Sequence, residues 1–340
     1  MHRNLRLFYI LLFVTAAAAG LRYYSQRTSG ELVVFESAAF ALEDTTAVDR
    51  IFIADKDGNS ALIERVPGQR YWSLNGKYLA RKDAVDLLLK TFRRVVVQRP
   101  VPAAELDNVN RLLAGRAKKV EIYQGGTQPE KTWYIGTATQ SHTGTYMVLG
   151  DGSGGIAEEP FVVHMEGFTG FLSTRFFTDE SEWRYTGVFD YPGKSLRKVE
   201  VVYHETPRFS FAMEVDSNGA LSVLNQHGKA VVRDTLAWQN RFNHFKKIHL
   251  ETFNHHLSPY GLDSLSNADP AFTMRAWGMV DSLPEEIHLF WKHPTMDTYD
   301  NEGVLNPWDG ARMYAKFKEE MVLVQRFVFD DLIALPPEMY

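Results

Sequence analysis

An order of elements that occurs twice constrains this chain more than its composition does. Val48 to Asp55 alternates apolar and polar residues as a strand does, and Lys56-Asp57-Gly58-Asn59 supplies the left-handed turn chemistry of a hairpin. Ser60 to Val66 and Tyr71 to Leu74 continue as strands, with a further turn at Asn75-Gly76. The period then changes. Val85, Leu88, Leu89, Phe92, Val95 and Val96 share one helical face, with Asp83 near the start of that helix. Pro102 to Leu113 reads as a second helix, and strands follow at Lys119 to Tyr123, Thr132 to Ile135, Thr145 to Leu149 and Phe161 to His164.

Roughly 150 residues later the order returns, the kind of self-similarity that marks a duplicated unit. Val199 to Tyr203 matches the first strand, Phe209 to Val215 with Ser217-Asn218-Gly219 the hairpin, and Leu221 to Leu224 leads into Asn225. A helix with Asp234 near its start then places Trp238, Phe242, Phe245 and Ile248 on one face, before strands at Phe272 to Met279, Glu286 to Trp291 and Arg312 to Phe317. The ends repeat as well: Phe161-Val162-Val163-His164 precedes Phe168 and Leu172 at the intervals by which Val322-Leu323-Val324-Gln325 precedes Phe329 and Ile333. The expected fold is therefore α+β, two tandem related domains of antiparallel sheet with packed helices. Residues 31–190 form the first repeat and 191–340 the second. The boundary falls in the polar stretch from Thr178 to Ser195, where Pro192-Gly193 interrupts any regular pattern.

Residues 1–30 are expected to be an N-terminal transmembrane or signal segment. Leu7 to Leu21 is uncharged and apolar or weakly polar, preceded by Arg3 and Arg6, which is the pattern of an export signal. The run is shorter than the roughly 20 residues that span a hydrocarbon core comfortably. Ala16 to Ala19 offers a cleavage site, whereas Arg22, Tyr23 and Tyr24 suit an uncleaved anchor at the interface, the preferred reading. A core helix is the third option, but the polar sequence from Ser25 to Glu31 detaches the run from the rest of the chain. The expected location is the inner membrane, crossed once, with the body of the chain in the periplasm. A net charge of −5 gives no reason to expect nucleic acid as a partner. The absence of cysteine removes disulfides, thiolate metal sites and thiol nucleophiles together.

Several blocks, taken together, resemble the domain-of-unknown-function 4340 family found in envelope proteins of Bacteroidetes-type bacteria. They are FALEDTTAVDRIFIADKDGNSALIER (Phe40 to Arg65), WSLNGKYLARKDAVDLLL (Trp72 to Leu89), KKVEIY (Lys118 to Tyr123), GTYMVL (Gly144 to Leu149), FVVHMEGFTGFLSTRF (Phe161 to Phe176), RMYAKF (Arg312 to Phe317) and LVQRFVFD (Leu323 to Asp330). The resemblance runs from about Phe40 to Asp330. It implies an N-terminal membrane segment, an external α+β body and an association with ABC-type transport systems, but no activity, cofactor or catalytic residue.

The residues that suggest chemistry each fall short of a mechanism. His249, His255 and His256, with Glu251, suggest a zinc or copper site, but neither histidine interval is the three or four residues that bring ligands to one helix face. Gly150 to Gly155 follows a strand as phosphate loops do, yet lacks the Gly-Lys-Ser/Thr ending. Asp55, Asp57 and Asn59 alternate like calcium ligands, but Val66 stands where the bidentate Glu is required. Asp179, Glu180, Glu182 and Trp183 set acids beside an aromatic, a combination suited to sugar binding or to acid–base work, though solvated linker charge accounts for them. No Gly-x-Ser-x-Gly elbow marks a nucleophile. No residue is nominated as catalytic, cofactor-binding or metal-binding, and no cofactor is expected. The expected function is a non-catalytic protein-binding or assembly component associated with a transport system. The alternatives are an envelope hydrolase acting on glycan or peptide, and a small-ligand-binding module.

Overall fold

Alternation along the first strands decides which side of each faces inward. In the computed structural model, which describes residues 15–20, 22, 40–150, 155–157, 159–193, 195–231, 235–299 and 302–333, β1 (Arg50–Ala54) buries Ile51 and Ile53 and turns Arg50 and Phe52 outward. The fold is mixed α+β with antiparallel sheets, and it divides into two compact units between Tyr185 and Thr186. Among the described residues no helix is long and apolar enough to cross a membrane. The apolar run Leu7 to Leu21 lies for the most part outside them, with residues 15–20 helical.

The first unit is built on one sheet. Its strands are β1, β2 (Ser60–Glu64), β3 (Ser73–Leu74), β4 (Tyr78–Leu79), β5 (Val95–Pro100), β6 (Lys118–Tyr123), β7 (Lys131–Ala138), β8 (Thr145–Leu149) and β9 (Phe161–Met165), in the order β4-β3-β2-β1-β6-β7-β8-β9-β5. Helix α1 (Lys82–Arg94) lays Val85, Leu88 and Phe92 on one face of it. Helix α2 (Ala103–Arg116) covers Tyr134, Tyr146, Val148 and Val162 on the other, with Val109 and Leu113. Both faces of β7 and β8 are thereby buried, which explains their continuous apolar sequence.

Val95 and Val96 do not extend α1, although both fit its helical phase. Three successive β-branched residues stiffen the chain toward extended backbone, and Val95 to Val97 pair with β9 as an edge strand. Arg93 and Arg94 close the helix where the macrodipole favours cations.

In the second unit β10 (Gly187–Asp190) pairs with β14 (Lys247–His249). The main sheet runs β13-β12-β11-β15-β16-β17-β18, with β11 at Leu196–Tyr203, β12 at Phe211–Val215, β13 at Leu221–Asn225, β15 at Phe272–Gly278, β16 at Glu285–Phe290, β17 at Arg312–Phe317 and β18 at Glu320–Gln325. Helix α4 (Thr235–His244) packs Trp238 edge-on to Phe211 at 5.2 Å, and Phe245 just beyond it meets Phe189 at 6.0 Å. Ile248, which fits the helical phase of α4, lies instead in β14. Asp234, expected near the start of that helix, lies outside the described residues.

Taken in chain order, the neighbours β3-β2-β1-β6-β7-β8-β9 of the first sheet and β13-β12-β11-β15-β16-β17-β18 of the second follow the same path. The edge strand also has a counterpart: just past β14, Thr252 bridges Leu323 of β18, as β5 pairs with β9. The hairpin turns agree atom for atom. Asp55 Oδ1 accepts from the N–H groups of Asp57 and Asn59, and Asp216 Oδ1 from those of Asn218 and Ala220. The penultimate residue of each turn is a glycine at positive φ, 91° at Gly58 and 84° at Gly219.

The two sheets differ in two places. Helix α5 (Pro259–Ser266), which occupies the place of α2 in the chain order, buries no residue, and the outer face of β11, β15 and β16 carries Lys198, Glu200, Thr273, Arg275, Glu286 and His288. The connection from β7 to β8 spans only residues 139–144, whereas that from β16 to β17 spans 291–311. The end segments diverge as well: Phe329 is fully buried on α6 (Arg326–Ile333), while Phe168 is 37% exposed in a glycine-flanked loop. Beyond the strands the matched intervals still set Leu172 and Ile333 in their cores, and they part company only at Phe168 and Phe329.

Candidate functional site

Several of the described residues singled out by sequence pattern are held in local structure. His249 bonds Thr186 Oγ1 through Nδ1 at 3.1 Å, Glu251 grips Arg312 with both oxygens at 2.6–3.0 Å, and His255 Nδ1 accepts from the Leu257 N–H. Burial lowers the proton affinity of His255, and the neighbouring His256 adds to the effect. No group of three His, Cys, Asp or Glu able to hold a metal occurs among the described residues. Of Gly150 to Gly155, residues 151–154 lie outside the described ones. Their flanks, Gly150 and Ile156, bridge each other as the two limbs of a hairpin.

Asp55 belongs to a turn. Its Oδ2 accepts from Thr178 Oγ1 at 2.6 Å and from Asn59 Nδ2 at 3.0 Å, while Oδ1 takes two backbone N–H groups. The Thr178 hydroxyl is the largest cause holding this carboxyl down at about 2, with Asn59 and Asp57 adding to it against some desolvation. A carboxylate depressed in the folded state stabilises at pH above its unfolded value and loses that contribution as pH falls through the folded one. Asp55→Ala is therefore expected to cost about 1 kcal/mol at neutral pH, a hydrogen-bond figure discounted for solvent screening. The cost should shrink between about pH 4 and pH 2, read by acid unfolding of variant and parent side by side.

Within the acidic stretch Asp179 and Glu182 are exposed, as solvated charge requires, while Trp183 is packed. Asp179 caps α3 (Glu180–Trp183) by accepting from the Ser181 N–H, and Glu180 accepts from Asn75 Nδ2 at 2.7 Å. Trp183 is fully buried, its indole N–H donating to the Phe177 carbonyl at 3.0 Å.

Two arrangements that sequence pattern did not single out carry more. The first crosses the polar face of the second sheet. Thr273 Oγ1 lies 2.9 Å from both His204 Nε2 and His288 Nδ1, His288 Nε2 meets Glu286 at 3.0 Å, and Arg275 joins Glu286 to Glu200. This has the connectivity of a hydroxyl, a base and an acid. Thr273 is only 1% exposed, however, so no substrate reaches its hydroxyl. The run is a satisfied polar ladder in place of a covering helix. Thr273→Val is expected to cost about 1 kcal/mol in thermal unfolding by removing the hydrogen bonds of a buried hydroxyl to His204 and His288.

The second is the connection 291–311. Its limbs are tied across by Lys292 to Asp309 (2.7 Å), His293 Nδ1 to the Pro307 carbonyl (2.9 Å), Asn306 N–H to the Thr298 carbonyl (2.7 Å) and a bridge between Tyr299 and Leu305. Trp291 and Trp308 stack at 5.7 Å, His293 lies against Trp308 at 4.7 Å, and Phe272 meets Trp291 edge-on. Trp291 donates its indole N–H to Glu205, and Arg326 at the start of α6 reaches the Asp309 carbonyl. Burial pushes the Asp309 carboxyl up, but Lys292 and the N–H groups of Ala311 and Arg312 outweigh it and leave it below the usual range. Beyond this braced base the ribbon presents Met296 (79% exposed), Tyr299 (60%), Val304 (59%) and Leu305 (50%) to solvent. Phe327, next to Arg326, is exposed as well.

Such a ribbon offers an apolar recognition surface on a rigid aromatic footing and no group poised for bond making. Comparison of the chain with protein-family models, with curated proteins and with solved structures finds no match.

Proposed function

We propose that the protein is a membrane-anchored envelope component, of the kind its sequence blocks resemble, that binds another protein of a transport or assembly complex and catalyses nothing. In this reading the two units arose by duplication. Their common strand path and their matching Asp55 and Asp216 turns support that origin. The observation that carries the function is the asymmetry between them. A short turn at 139–144 in the first unit corresponds to the braced ribbon 291–311 in the second, where four large apolar side chains stand exposed.

Exposing these side chains to water is unfavourable in the isolated protein, and a partner that covers them recovers roughly 25 cal/mol for each Å² of apolar surface removed from water. Preorganisation by the stacked tryptophans lowers the entropy lost on binding. A membrane tether raises the local concentration of a partner in the same membrane. The test is a mild-detergent pull-down of the full-length protein from its native membrane, with crosslinking and mass spectrometry. Near-stoichiometric recovery of transport or envelope-assembly subunits supports the reading. Recovery of the protein alone across several detergents removes it.

A further inference from the structure

A buried cation in the first unit has no anionic partner among the described residues. Arg175, at the end of the 3-10 turn Ser173–Arg175, is 8% exposed, and its Nη1 donates to Thr91 Oγ1 at 2.7 Å and to Met165 Sδ at 3.1 Å. Thr91 gives its own proton to the Leu87 carbonyl, so it offers the guanidinium a neutral oxygen only. The third neighbour is an aromatic ring, Phe168, 4.2 Å from the guanidinium carbon. Burial alone shifts the proton affinity of Arg175, downwards, and no charged group contributes. A guanidinium removed from water without a carboxylate is costly, and such groups are ordinarily paired.

The ring over it sits in a tight, glycine-shaped loop at the surface. Phe168 is flanked by Gly167 at φ 74° and Gly170 at φ 143°, conformations that side chains other than glycine rarely adopt. It is 37% exposed, and a Cβ at Gly167 would stand 3.2 Å from Arg94 Nη2, so a second guanidinium borders the same loop. We propose that Arg175 is the floor of a binding site for a small oxyanion, a carboxylate or phosphate group of a ligand, and that Phe168 is the lid the ligand displaces. The remaining N–H groups of Arg175 match the paired oxygens of either anion in a forked contact. The ring holds the charge until the anion replaces it.

Labelling of the full-length protein in mild detergent with the arginine reagent phenylglyoxal, read by peptide mass spectrometry, tests this. Exposed Arg116 serves as the control in the same digest. Arg175 is expected to label slowly in the parent and about tenfold faster in Phe168→Ala, the equivalent of a desolvated cation–π contact. Inorganic phosphate or acetate, at ionic strength matched with chloride, should then protect Arg175 and leave Arg116 unchanged. Protection by phosphate alone assigns a phosphate-bearing ligand, and protection by acetate a carboxylate. If neither anion slows the labelling of Arg175 in Phe168→Ala, or if Arg116 is slowed equally, the proposal is overturned. The readout needs no substitution of the buried arginine itself.

Discussion

Replacing Met296, Tyr299, Val304 and Leu305 together by serine is expected to abolish recovery of the partner, a fall of at least about 100-fold in affinity. Each side chain is half or more exposed, so its truncation removes little from the folded state. Surface changes of this kind usually stay within about 0.5 kcal/mol of parent stability. The loss would therefore belong to the interface and not to unfolding. Aromatic anchors carry a disproportionate share of interface energy, so Tyr299→Ser alone should account for the largest single step, about 2 kcal/mol or more. Equilibrium binding of purified variants to the recovered partner, with thermal unfolding as the control, measures both quantities.

The second large effect lies in the first unit. Trp183→Ala is expected to cost about 3–5 kcal/mol, the range for truncating a large buried aromatic. The ring is fully buried against Phe177 at 5.4 Å, and its N–H is matched by the Phe177 carbonyl. Trp183→Phe keeps most of the volume but strands that carbonyl, so about 1–3 kcal/mol is expected. Amide hydrogen exchange in β2, on which the α3 segment packs, is the appropriate measurement. A sugar-binding role for the same residues would instead leave exchange unchanged and alter glycan retention.

These two regions also mark where sequence pattern runs out. Alternation in Arg50–Ala54 and Phe272–Gly278 reflects burial on one face, a local property that a single strand displays. The ends of the helices are less legible. Val95, Val96 and Ile248 satisfy the helical period, and what converts them to strand is pairing with β9 and β10, partners distant in the chain. Trp183 sits among acids that suggest solvent, and only the packing of its turn against the hairpin strands shows it to be core. The ribbon 291–311 is rich in turn-forming residues and so reads as a loop. The stacking of Trp291 on Trp308 that stiffens it is a tertiary contact across that loop. The polar ladder through Thr273 likewise needs the register of β15 on β16, which sets Thr273 opposite His288.

The most direct measurement places a photo-crosslinking residue at position 299 of the ribbon and, in a separate variant, at position 141 of the corresponding short turn, also exposed. Irradiation in the native membrane should yield one dominant adduct from position 299, containing the partner found by pull-down, and none from position 141. Equal adducts from both positions, or none from 299 while the partner is still recovered, would contradict the assignment of the ribbon as the binding surface.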